Sequence, residues 1–95
     1  MTLRFVEPLV PNAWLAESPV SLDALRAETL DPKLPQSFRE GYCQTLDEIE
    51  LLLDTGDAMF RFSSPPETWT AKCGVSGVAI IRDGNTRLCI ELACN

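Results

Sequence analysis

The sequence predicts an α+β fold: an antiparallel sheet of three to four strands ending in a C-terminal β-hairpin, with two main helices packed on one face. Three observations predict it. Residues 75–94 form two β-rich runs around Asp83-Gly84, a dipeptide suited to a tight turn with positive φ at its centre. Between residues 35 and 54 the side chains Phe38, Tyr42, Leu46, Ile49 and Leu53 recur every three or four residues, one face of a helix. Residues 57–62, Asp-Ala-Met-Phe-Arg-Phe, alternate as a half-buried strand does.

The elements follow in chain order. Residues 2–7, Thr-Leu-Arg-Phe-Val-Glu, alternate briefly and suit an edge strand closed by Pro8. Three prolines interrupt the stretch from Glu7 to Pro19, which reads as an extended segment or loop with Trp14 anchored into the core. Ser21 caps a short helix over residues 22–30, stopped by Asp31-Pro32. Pro35 suits the first turn of the long helix and Gly56 the left-handed position after its end. Gly41 weakens its interior, yet the apolar stripe runs through it. Ser64-Pro-Pro-Glu67 has the form of a capping box opening a short helical piece that carries Trp69 inward and ends at Gly74.

The hairpin register follows from its turn. With two turn residues, Arg82 pairs with Asn85 and Ile81 with Thr86. Continued without interruption, Ala79 then faces Leu88 and Gly77 faces Ile90. This places Ala79, Ile81, Leu88, Ile90 and Leu92 under the long helix, and leaves Val78, Ile80, Arg82, Arg87, Cys89 and Glu91 on the other face. That second face is apolar enough to suit a homodimer through the sheet.

Composition bounds the function. Residues 1–95 make one small domain of ordinary globular composition, 45% hydrophobic and 23% charged. There is no histidine, which excludes Cys–His and Ser–His–Asp catalysis. No apolar run is long enough to span a membrane. Glu7, Pro8 and Pro11 interrupt the apolar stretch that a signal peptide needs, so a cytoplasmic protein is expected. Cys43, Cys73, Cys89 and Cys94 should then be reduced. They include no Cys-x-x-Cys pair, so no metal site is expected, although the uninterrupted register sets Cys73 opposite Cys94. The net charge of −6 equals the charge of residues 40–57, which hold six carboxylates and no Lys or Arg. Such a chain is poorly suited to bind nucleic acid directly.

Asp54-Thr55-Gly56, preceded by three leucines, resembles the Asp-Thr-Gly signature of the retroviral-type aspartic proteases, which are dimers of about this length. The resemblance implies two subunits each contributing one aspartate to a shared proton. The chain departs from that family: no glycine-rich flap follows, and the residues before Asp54 read as a helix where the family has a strand. Asp-Thr-Gly is therefore read as a helix end, and the protease is retained as a remote alternative.

The sequence thus supports a small acidic, non-enzymatic interaction protein, an adaptor or inhibitor, with no catalytic residues and no cofactor. It would bind a protein partner with a basic surface through an acidic helix face made of Glu40, Asp47, Glu50, Leu51 and Asp54. The alternative is a small-ligand-binding module with an aromatic pocket between helix and sheet, lined by Trp14, Tyr42, Phe60 and Trp69.

Overall fold

The computed structural model describes residues 3–94 and has an α+β architecture. In chain order the elements are β1 (Arg4–Phe5), a single 3₁₀ turn (Asn12–Trp14), β2 (Leu15–Pro19), α1 (Leu22–Glu28), α2 (Gln36–Leu52), β3 (Ala58–Ser63), α3 (Pro66–Thr70), β4 (Val75–Arg82) and β5 (Asn85–Cys94). The strands make one antiparallel sheet in the order β1-β5-β4-β3-β2. The Cα radius of gyration is 13.3 Å, as expected for a domain of this length. No helix among the described residues is long and apolar enough to cross a membrane.

Both helices that cover the sheet form where the apolar spacing puts them. The Ser21 side chain accepts from the Ala24 N–H at 3.0 Å, satisfying one free donor at the start of α1. Leu25 of α1 and Leu46 and Ile49 of α2 are fully buried against Met59, Val78, Ile80 and Ile90. Each such side chain contributes about 1.5–3 kcal/mol through burial. Gly41 does not break α2, whose backbone runs continuously past it. Phe38, at the start of the apolar stripe, stays half exposed because it overhangs the packed part of the sheet.

Among the described residues the sheet has five strands, where the sequence suggests three to four. Leu15–Pro19 pairs with β3, although its proline and its lack of β-branched residues give it no strand signature. The short N-terminal strand is present as Arg4–Phe5 on the opposite edge, against Glu91 and Ile90; Thr2 lies outside the described residues.

The hairpin turn forms as its dipeptide dictates, with Asp83 at φ 53° and Gly84 at φ 78°. Beyond it the ladder differs from an uninterrupted one. Ile81 pairs with Thr86 but Ile80 pairs with Leu88, so Arg87 is an extra residue in β5. A second extra residue, Leu92, lies between Glu91 (opposite Gly77) and Ala93 (opposite Ser76). The first bulge reverses the face assignment: Val78 and Ile80 join Ile90 beneath the helices, while Ala79 and Cys89 point to the far face. The bulges also set Val75, not Cys73, opposite Cys94, and all four cysteines are free thiols.

The far face is closed by the chain itself. Phe62, Ala79 and Cys89 pack there with buried Val10 and with Val6, Trp14 and Leu15. The apolar surface that the uninterrupted register offered to a homodimer is therefore internal. Trp14 anchors this second cluster instead of the one beneath the helices.

At α3 the capping box does not form. Pro65 occupies the cap position without a side-chain bond, while the Ser64 hydroxyl accepts from the Val75 N–H at 3.0 Å and lies 2.6 Å from Thr68 Oγ1. Trp69 lies flat against Gly74, where a Cβ would meet its ring at 2.3 Å. Its indole N–H donates to Ser63 Oγ and the Ser64 carbonyl, both at 3.2 Å.

Candidate functional site

The acidic stretch is held from within by two arginines. Arg26 of α1 donates to Asp47 Oδ1 and Glu50 Oε2, both at 2.8 Å, so it bridges two carboxylates one turn apart on α2. Arg82 of β4 donates through Nε to Asp57 Oδ1 at 2.7 Å and through Nη2 to Asp54 Oδ2 at 2.5 Å. Glu40 accepts from Gln36 at 2.9 Å, one turn earlier. The Arg26 pairs clamp α1 to α2, and the Arg82 pairs tie the end of α2 to the hairpin, whereas the Glu40 bond stays within α2. Among them, Asp47, Glu50 and Asp54 remain largely exposed. Leu51, on the outward side of α2, is 86% exposed.

The charges perturb one another as these contacts require. The Arg82 hydrogen bonds, helped by the Asp54 N–H, hold the Asp57 carboxyl well below its usual range, at about 2. Arg82 and Arg26 are each held more firmly protonated by their carboxylate partners. Burial pushes the Tyr42 phenol up; the charge of Glu28 adds to this and Arg61 opposes it.

Asp54-Thr55-Gly56 forms a turn between α2 and β3, closed by the Asp57 N–H donating to the Asp54 carbonyl at 3.0 Å. Gly56 has φ 90° there. A helix, not a strand, leads into Asp54, which is the departure from the aspartic proteases that the sequence already contained. No group of three or more His, Cys, Asp or Glu side chains among the described residues is placed to hold a metal ion.

The aromatic residues make the second surface. Phe38 and Tyr42, one turn apart on α2, stack with centroids 5.9 Å apart and planes 13° from parallel. They form one wall of an open groove of about 480 Å³ between the start of α2 and the end of the sheet that the helices leave bare. Trp14, Phe62 and Leu92 provide further apolar walls. The floor is low because the strands present Ala16, Ser63, Ser76, Gly77 and Ala93 there. Arg61 stands at the groove, its guanidinium paired with Glu28 of α1.

Of the four residues assigned to an aromatic pocket, Trp14 and Tyr42 do meet in this groove. Phe60 points away from the helices, opposite Ala79 and Pro19, and Trp69 lies on α3 against Gly74. The sequence reading missed Phe38 as a site residue because its place in the apolar stripe made it core. Its signal was positional: it opens the stripe, where a helix can extend past its sheet.

Comparisons with protein-family models, with curated protein sequences and with solved structures found no match.

Proposed function

We propose that this protein is a non-enzymatic protein-binding module that takes an apolar side chain of a basic partner segment into the groove between α2 and the sheet. The observation that carries the reading is the half-exposed Phe38, stacked on Tyr42 over a groove whose floor is built of small residues. Rigid aromatic side chains at the rim of a depression are the usual anchors of binding energy. The net charge of −6 favours a cationic partner by raising its encounter rate, and the exposed carboxylates Glu40, Asp47, Glu50 and Asp54 with Leu51 extend the surface that such a partner meets. The four unpaired thiols suit a reducing compartment, the cytoplasm.

A small-ligand module draws on the same groove. The groove is open along the sheet end instead of enclosed, and two of the four aromatic residues first assigned to it lie elsewhere. That favours a chain segment over a sequestered small molecule.

Selection of a random-peptide phage library on the folded protein tests the reading. The selected peptides should combine an aromatic or large aliphatic residue with nearby Lys or Arg. Phe38→Ala should weaken them roughly tenfold or more, as loss of an interface anchor does, while leaving thermal unfolding almost unchanged. Failure to enrich any peptide, or equal binding by Phe38→Ala, overturns the reading.

A further inference from the structure

Resting on that reading, we infer that the partner segment binds as an extended strand added to the open edge of β2, with a basic residue opposite Glu17. Three observations lead there. First, β2 is the last strand of the sheet, so its outer N–H and C=O groups have no strand partner among the described residues. The opposite edge is different: β1 covers part of β5, and the Val6 N–H donates to the Cys89 carbonyl at 2.8 Å just beyond it. An uncovered strand edge is a template for another strand.

Second, the edge adjoins the groove. Leu15 and Ala16 of β2 line it together with Phe38 and Tyr42. A segment laid along β2 therefore has its backbone in reach of the ladder and alternate side chains directed at the aromatic walls. The proline of β2 comes at its last residue, Pro19, and leaves the N–H groups of Leu15 to Ser18 in place. Between Leu15 (opposite Phe62) and Pro19 (opposite Phe60) β2 holds two extra residues, so the added strand would follow a bulged edge.

Third, charge decides between occupants. Glu17 is exposed at the midpoint of β2. A second copy pairing antiparallel about that midpoint would set Glu17 against Glu17 between two chains of charge −6, and like charges directly opposite are destabilising. A Lys or Arg there is favourable, and Asp31, which lines a depression on the other side of Phe38 and Tyr42, offers a further carboxylate.

The test uses the peptide selected on the wild-type groove, with the intact protein. Amide hydrogen exchange by NMR should slow on peptide binding at those Leu15–Ser18 amides that do not bond β3. Glu17→Lys should weaken the peptide about fivefold or more, the scale of a cross-strand charge pair. Exchanging the peptide's basic residue for Glu should restore binding to Glu17→Lys. If the Phe38 and Tyr42 signals shift but β2 exchange does not change, the added strand is wrong and the groove reading stands. If neither responds, both fall. A peptide whose binding to Glu17→Lys equals wild type also overturns the register proposed here.

Discussion

The Asp57 carboxyl has no exposed surface, and it accepts from Arg82 Nε and Nη2 and from the Asp54 N–H at 2.7, 3.0 and 2.9 Å. Because its folded pKa of about 2 lies below the ordinary 3.8, folding favours the ionised form. The sign of the linkage follows: the contribution is complete above about pH 4 and is lost as pH falls towards 2. Chemical denaturation from about pH 5 to about pH 2 should therefore show wild type losing its advantage over Asp57→Asn. An advantage that stays constant down to pH 2 would show that Asp57 is not held in this way. The residue scale also explains why neutralising the acidic face is not a neutral change. Asp47→Asn with Glu50→Gln strips Arg26 of both its charged partners, and Asp54→Asn leaves Arg82 with Asp57 alone.

At the scale of the element, β5 shows what determines a face. Its two extra residues invert and then restore the alternation, and the second of them brings the strand close to Gly77. A Cβ on Gly77 would lie 1.8 Å from the Ile90 carbonyl oxygen. Gly77→Ala must therefore displace backbone and should cost about 2–3 kcal/mol in chemical denaturation. Gly41→Ala, with nothing within 4 Å of its new methyl, should stabilise by up to about 1 kcal/mol through helix propensity. Similar effects at the two positions would contradict the bulge. Helix α2 was legible because Leu46 and Ile49 repeat with its period, and the hairpin turn because Asp83-Gly84 permits so few conformations. The faces of the hairpin were not legible. Val78-Ala-Ile-Ile81 is apolar at every position, so alternation cannot say where Arg87 steps out of the ladder. Strand β2 was hidden because it is held by pairing and by Leu15 packing, neither of which its composition announces. For the groove, Tyr42 and Trp14 were legible as large aromatics; Phe38 was not, because exposure depends on where the sheet ends beneath the helix.

At the scale of the whole molecule the sheet is covered twice, by α1 and α2 on one side and by residues 6–14 on the other. The second cover is thin, and it is attached through β1, whose pairing of Arg4 with Glu91 joins residues from opposite ends of the described chain. In terms of folding kinetics this is an expensive contact to close. The β4–β5 hairpin needs only a local turn, whereas β1 must wait for nearly the whole chain to be gathered, and it gains two residues of ladder for that loss of freedom. Contacts made late and held weakly open without the rest of the fold. Cys89, 1% exposed beneath this cover, reports the opening. Exposed Cys73 and Cys94 should react quickly with a thiol reagent, and Cys89 slowly. The denaturant dependence of Cys89 labelling should be shallower than that of global unfolding followed by circular dichroism, since only β1 and the following residues need detach. Equal dependence would make the N-terminal cover part of the main cooperative unit. With the shallower dependence, the molecule breathes at one face while α1 and α2 stay packed on the other.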